Sequence, residues 1–290
     1  MPNISTILIL THSNSLSLRG YFVNLIAKEW ETQGIRVLIH RDLKNLAPAD
    51  VCFLHVDLSV VPPPYTAFAR LYPNTVNLHV TDIRKTGYSR NLVVRGDGYD
   101  GPIIVKSSLN HGGEPERRTR PQHPVGKLWR KFHRELTRRA SPRFPFQQPS
   151  ITNKQHYRVF AKRRMLPIGW LDRHDIVVER FRPEQSGDYF VLREWFFLGD
   201  QEYYNCELSR DPIFTSGTHC PALEAPPPDL IRQVRKEFQI DYGKIDYVID
   251  CDGTPVLFDV NKTIGLSDPN SERARMMARI LANGLTSLVT

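Results

Sequence analysis

Short apolar runs separated by polar punctuation open the chain. Residues 5–10 (STILIL), 36–40 (RVLIH), 51–58 (VCFLHVDL) and 75–80 (TVNLHV) read as buried strands. Leu18, Phe22, Leu25, Ile26 and Trp30 follow the first at helical spacing, and Gly34 ends that helix. Strands alternating with helices or loops predict a parallel sheet with covering helices. Such sheets bind ligands beyond the carboxyl ends of their strands, so Thr11, His12, Ser13, His55 and Asp57 are candidate substrate contacts, or else loop-capping polar groups. From residue 175 the pattern turns β-rich: DIVVERF (175–181), YFVLREWFFL (189–198), a Gly199-Asp200 turn, then EYYNCELS (202–209). Glu179 and Arg193 fall inside these strands, where a buried charge needs a partner. A helix through Leu230, Ile231, Val234 and Phe238 leads into a hairpin, and a last helix through Met276, Met277, Ile280 and Leu281, ended by Gly284, reads as a core cover.

The hairpin, residues 242–265 (YGKIDYVIDCDGTPVLFDVNKTIG), carries the most chemistry. Asp252-Gly253 reads as a two-residue type I′ turn between runs of β-branched and aromatic residues. Counting back from that turn puts Cys251 opposite Thr254, Asp246 opposite Asp259 and Lys244 opposite Asn261. One face then reads Lys244, Asp246, Val248 against Leu257, Asp259, Asn261. The other reads Ile245, Tyr247, Ile249 against Val256, Phe258, Val260, an apolar surface for a core. Directly opposed carboxylates repel. A divalent cation held by Asp246, Asp259 and the Asn261 amide would offset that repulsion, and these hard oxygen donors suit magnesium, with Lys244 beside them to meet a phosphate oxygen. The alternative is a solvated sheet face on which the two acids splay apart.

Upstream, residues 102–105 predict a strand that delivers Lys106 to a loop containing Gly112 and Gly113. An ammonium beside glycine amides can grip a phosphate. The same residues also suit a surface lysine and an ordinary turn, and no Walker-type GKS or GKT is present.

At 290 residues, 40% hydrophobic and 24% charged, the chain has an ordinary globular composition with room for two or three subdomains, which excludes disorder as its main state. Its net charge of +8 is concentrated: residues 114–164 hold fifteen Lys and Arg against three Glu, leaving the remainder acidic. Val125, Leu128, Trp129, Phe132 and Leu136 at helical spacing, with Lys127, Arg130, Lys131, Arg134 and Arg138 around them, predict a basic amphipathic helix. It could meet an anionic substrate, partner or membrane, or simply pack on its own domain. Nucleic acid is not expected as the main partner, because no recognition motif accompanies the charge. Cys52, Cys206, Cys220 and Cys251 are widely spaced with no CxxC pair, so a reducing cytoplasm is expected and neither a zinc ribbon nor a disulfide framework is indicated. The opening segment lacks a basic stretch, and its apolar run is too short for a signal peptide or a membrane span.

The order of these parts resembles the ATP-grasp superfamily. The hairpin YGKIDYVIDCDGTPVLFDVN looks like its C-terminal metal motif and is particularly similar to the corresponding stretch of D-alanine–D-alanine ligases. IIVKSSLNHGG resembles the phosphate-gripping strand and glycine loop of the lid, IVVERF the strand contacting adenine, and IRK around Lys85 the basic position opening the lid. The resemblance covers roughly residues 75–265 and implies an α/β (α+β grasp) fold: a Rossmann-like N-terminal domain over 1–82, a lid over 83–184 with a basic insertion over about 114–164, and a C-terminal subdomain over 185–290. Carried over position by position, it implies magnesium, or manganese in its place, at Asp246, Asp259 and Asn261. It also implies ATP phosphates at Lys85, Lys106 and the Gly112-Gly113 loop, adenine at Glu179 and the backbone of Arg180, Phe181 and Arg182, and a catalytic role for Lys244 and Arg193. The second acid is usually Glu where this chain has Asp259, and the usual Pro-Gly after the Asn is Ile264-Gly265. The expected activity is an ADP-forming ligase joining a small-molecule carboxylate to an amine (or thiol) through an acyl phosphate. A small-molecule kinase and a non-catalytic nucleotide-binding protein are the alternatives.

Overall fold

The computed structural model describes residues 4–15, 17–119 and 151–289. The basic helix expected over 125–138 lies outside the described residues.

The opening alternation forms the expected parallel sheet. Strands β1 (Thr6–Leu10), β2 (Arg36–His40), β3 (Val51–Leu54) and β4 (Asn74–Val76) lie in the order β2-β1-β3-β4. Its central strands are apolar at every position after Thr6 because both faces are covered. Ile7, Ile9, Val51 and Phe53 join a core with helix α1 (Val23–Thr32), whereas Leu8, Leu10, Cys52 and Leu54 join one with Tyr65, Phe68 and Ala69 of α2 (Pro63–Ala69). A short helix α3 (Lys85–Tyr88) then leads to a second, antiparallel sheet. It has the order β6-β5-β7, formed by β5 (Ile103–Ser107), β6 (Arg158–Phe160) and β7 (Ile176–Arg180), with helix α4 (Glu114–Thr119) following β5. Lys106 thus lies within its strand, not at its end.

The third sheet is antiparallel, in the order β11-β10-β9-β12-β13, with β8 (Glu184–Ser186) also paired to β9. Its strands are β9 (Tyr189–Leu198), β10 (Gln201–Ser209), β11 (Thr218–His219), β12 (Tyr242–Ile249) and β13 (Pro255–Asn261). One face packs on Ile231 and Val234 of α5 (Asp229–Glu237). Helix α6 (Glu272–Ala282) does not stay with this sheet alone: Met277, Ala278 and Leu281 share the core of α1 and the parallel sheet, and the Trp30 indole N–H donates to Ala282 O at 2.9 Å.

The hairpin pairs Asp246 with Asp259 and Lys244 with Asn261, but it reaches that register by a different route. Asp250 N donates to Thr254 O at 3.0 Å, so the turn has three residues, Cys251 to Gly253, and Gly253 alone of them has positive φ (75°). The Asp250 carboxylate accepts from the N–H groups of both Asp252 and Thr254, which favours the wider turn. A bulge between Asp246 and Tyr247 removes the one-residue offset. Beyond the bulge the faces differ from expectation. Leu257 pairs with Tyr247 in the α5-facing core, while Val256 joins Val248 and Leu192 on the opposite face, with Phe258 against them.

Gly199, in the β9–β10 turn, has φ 55°, and a Cβ there would lie 2.1 Å from Gly284 O and 2.2 Å from Ser287 Oγ. Gly199→Ala combines left-handed strain with a backbone clash, and should lower stability by about 2–3 kcal/mol. Urea titration of both proteins checks this.

Candidate active site

Directly opposed residues of an antiparallel pair share a face. The pairs Asp259–Asp246, Asp246–Glu194 and Glu194–Asn205 therefore set four polar side chains in one row across β13, β12, β9 and β10. Asp246, Glu194 and Asn205 are buried. Lys244, one row along, stands between two of the acids: its Nζ lies 2.9 Å from Asp246 Oδ1 and ion-pairs with Glu194 Oε1. The other Glu194 oxygen accepts from Asn205 Nδ2 at 2.5 Å. At the far end of the row, Asp259 Oδ1 accepts from Lys85 Nζ at 2.9 Å and from the Tyr88 hydroxyl at 2.6 Å, both carried by α3. From β5, Lys106 reaches across to sit 4.8 Å from the centre of the Phe258 ring, and its ammonium lies 2.6 Å from Glu179 Oε2.

Burial and the neighbouring charges sort these groups. Burial pushes the Asp246 carboxyl up to about 6, with Glu194 adding to the shift and Lys244 opposing it. Burial also works against ionisation of Asp259, but the Lys85 ammonium and Tyr88 hydroxyl outweigh it and hold that carboxyl well below the usual range. Lys85 and Lys244 would be discharged by burial alone; Asp259 in one case, and Asp246 with Glu194 in the other, keep them protonated.

Two cavities meet over this row. A small one of about 60 Å³ lies between the β5 sheet and the hairpin, lined by Lys85, Lys106, Asp246 and Asp259. A larger basin of about 550 Å³ lies over Glu194 and Lys244. Lys154, Leu192 and Phe214 line both.

Of the residues singled out by sequence, Lys85, Lys106, Lys244, Asp246 and Asp259 converge here. Asn261 stands beside them: its Oδ1 accepts from Thr263 N at 2.9 Å and from Asn110 Nδ2 at 3.4 Å, and its Nδ2 lies 3.5 Å from His111 Nε2. Gly112 and Gly113 follow His111 in a 3-10 turn; both have positive φ, and a Cβ on Gly112 would lie 2.2 Å from Thr152 O. Glu179 points into the site as the partner of Lys106. Arg180, Phe181 and Arg182 line neither cavity: the Arg180 guanidinium lies over Tyr99, Phe181 N donates to Pro102 O, and Arg182 ion-pairs with Asp250 at the hairpin turn. Arg193 is not brought to the site. It pairs with Tyr247 on the reverse face of the sheet, and its guanidinium is held by Glu184 at 2.6 Å and by Leu223 O at 2.7 Å. Strand alternation forces this, because Glu194 takes the site-facing position. Thr11, His12, Ser13, His55 and Asp57 also line neither cavity; Asp57 accepts from the Tyr21 and Thr263 hydroxyls.

Sequence reasoning missed Tyr88, Lys154, Glu194, Asn205, Glu207 and Arg273. For Glu194 a signal existed, since an acid adjoining Arg193 inside an apolar strand must point to the other face. The rest depend on which strands become neighbours.

The donors present fit a hard divalent cation. Asp246, Asp259 and Asn261 supply oxygens from one face of the hairpin, and the raised Asp246 carboxyl marks a carboxylate that Lys244 only partly neutralises. Among the described residues no group of three or more His, Cys, Asp or Glu could hold an ion; two carboxylates and an amide alone would leave most of a magnesium shell to water or phosphate oxygens.

No protein-family model matches this sequence, and no curated protein is similar to it. Solved structures do match: the chain has the ATP-grasp fold. N5-carboxyaminoimidazole synthetase from Staphylococcus aureus superposes with TM-score 0.51 at 11% identity, over 98% of this chain and 77% of that one. Its complex with ADP gives 0.54 at 9% identity over 99% and 78%. A RimK domain ATP-grasp protein from Sphaerobacter thermophilus DSM 20745 gives 0.46 at 12% identity over 96% and 99%. Among the described residues no helix is long and apolar enough to cross a membrane.

A carboxyl raised in the fold adds stability that is fully present below its unfolded value, near pH 4, and lost as pH rises through its folded value, here about 6. Asp246→Asn should therefore gain stability relative to the parent between pH 4 and pH 7, by on the order of 1–3 kcal/mol, as read from denaturation midpoints at the two pH values. Arg193→Met should lower stability by about 3 kcal/mol, because it removes the counter-charge of Glu184 and leaves that carboxylate only the Ile249 N–H, while nucleotide affinity by calorimetry stays at the parent value.

Proposed function

We propose that the cleft binds ATP with a divalent cation and that the protein is an ADP-forming ligase joining a carboxylate to an amine. The observation that carries this reading is that Lys85 on Asp259 and Lys244 on Asp246 flank the opposed Asp pair from two separate elements, while Lys106 from a third lines the same small cavity as both acids. A hydrophilic row serving only solubility would be exposed, whereas Lys85, Lys106 and Asp246 are each no more than 5% exposed. The synthetase of the same fold that was solved with ADP supports the nucleotide part.

In this reading Lys85 and Lys106 take ATP phosphates, while Asp246, Asp259 and Asn261 hold magnesium or manganese. The cation would supply charge neutralisation at the phosphate oxygens. A substrate carboxylate oxygen attacks the terminal phosphorus, the bond to the bridging oxygen breaks, and ADP leaves. An amine then adds to the acyl phosphate carbonyl and inorganic phosphate departs, leaving an amide. The chain contributes position and fixed positive charge, as phosphoryl transfer requires; Lys154 lines both cavities, where the transferred group would pass, and Lys244 stands on the basin side beside Asp246. No covalent enzyme intermediate is needed.

Magnesium-dependent ADP formation, screened with carboxylates, amines and hydroxyl compounds in pairs, tests the reading. Turnover requiring both a carboxylate and an amine is expected, with losses of about a hundredfold or more in Asp246→Ala, Asp259→Ala and Lys106→Ala. A stable phosphorylated product from a hydroxyl compound alone would replace the ligase with a kinase. Unchanged turnover in both Asp variants would overturn the metal assignment.

A further inference from the structure

The 550 Å³ basin has an ordered set of walls. Nearest the small cavity stand Leu192 and, directly opposite it on β10, Glu207. Next comes the Glu194–Asn205 row, and beyond it Phe196 opposite Tyr203, with Phe22, Ile264 and Met277 completing an apolar end. Glu194 is taken by Lys244 and Asn205, whereas Lys154, where the basin adjoins the small cavity, makes no ion pair among the described residues. Glu207 differs from Glu194, because no hydrogen bond or ion pair engages its carboxylate among the described residues. Burial, then the neighbouring Glu194 charge, raise its carboxyl above the usual range. Arg273, in the first turn of α6, gives one guanidinium N–H to Asn205 Oδ1 at 3.1 Å, and its remaining donors have no carboxylate within ion-pair distance among the described residues. The basin therefore presents a carboxylate without a direct partner toward the phosphate-lysine end, balanced only at longer range by Lys244, Arg273 and Lys154, a guanidinium with spare donors beside it, and an apolar pocket behind.

Resting on the ligase reading above, we propose that the amine substrate is an α-amino acid with an apolar side chain, its ammonium received by Glu207, its carboxylate by Arg273, and its side chain by the Phe196–Tyr203–Met277 end. A simple amine would leave Arg273 unanswered, and an acidic side chain would be desolvated against Phe196 and Met277 without a partner. The ammonium must lose a proton before it attacks a carbonyl. Glu207 stands nearest the cavity where the acyl phosphate would form, so it is placed to accept that proton.

Calorimetry on the full chain, with and without a non-hydrolysable ATP analogue and magnesium, tests this with L-phenylalanine, L-leucine, L-aspartate, phenethylamine and 3-phenylpropionate. L-Phenylalanine and L-leucine should bind, and L-aspartate should bind at least about tenfold more weakly. Arg273→Met should weaken L-phenylalanine about ten- to a hundredfold and leave phenethylamine unchanged, and Glu207→Gln should weaken both amines but not 3-phenylpropionate. Arg273→Lys should restore part of the loss; a merely structural Arg273 would not separate L-phenylalanine from phenethylamine. Absence of amino-acid binding in a protein that binds the analogue overturns this inference alone, as does binding that neither substitution alters. Absence of analogue binding overturns the nucleotide reading, and the analogue-free titrations then decide the basin separately.

Discussion

Lys244 stands between two buried acids, and the site is organised around that arrangement. Without its ammonium, Asp246 and Glu194 would face each other across neighbouring strands, both buried, with only the more distant Lys154 to offset their charge. Removing one member of such a group is costly because the others remain buried and ionised. The same logic repeats at either side, with Lys85 on Asp259 and Lys106 on Glu179. Each lysine comes from a different element: Lys85 ties α3 to the hairpin through Asp259, Lys244 ties β12 to β9 through Glu194, and Lys106 joins β5 to β7 while lying over the Phe258 ring of the hairpin. Asp246 is the member least compensated by protein groups, and the natural place for a further positive charge.

The parallel sheet was legible from residues 5–80 because both of its faces are buried, which leaves continuous apolar runs. The opposed aspartates were legible too, although for an incomplete reason. A two-residue turn without a bulge and a three-residue turn with one bulge give the same pairing at Asp246, and only the residues between them reveal which is present. Leu257 and Phe258 exchange faces as a result, and Phe258 becomes the ring over which Lys106 lies. The Asp250 side chain, bonded to two backbone N–H groups in the turn, carries information that a dipeptide turn rule omits.

Arg193 marks the limit of reading one strand in isolation. Period-two alternation says that Arg193 and Glu194 point opposite ways, but not which of them meets β12 on the site face. That choice is fixed by pairing between strands some fifty residues apart. Glu207 and Arg273 were hidden for the same reason: each is an ordinary charged residue in its own segment and acquires meaning only from the chain folded over it. Local pattern therefore located the nucleotide end of the cleft, where the charges cluster on one hairpin, and left the basin undescribed.

The contact between α1 and α6 has a bearing on how this chain folds. Trp30 and Ala282 are 252 residues apart, yet they share a hydrogen bond and one core. The core on the α1 face of the parallel sheet is completed by Met277, Ala278 and Leu281, together with Phe196, Leu198 and Tyr242 of the third sheet. Helix α1 covers this face first, and the core it starts stays incomplete until residues far along the chain have joined it. Contacts separated by so much sequence slow the closing of a core and lengthen the time for which its apolar surface is open to aggregation.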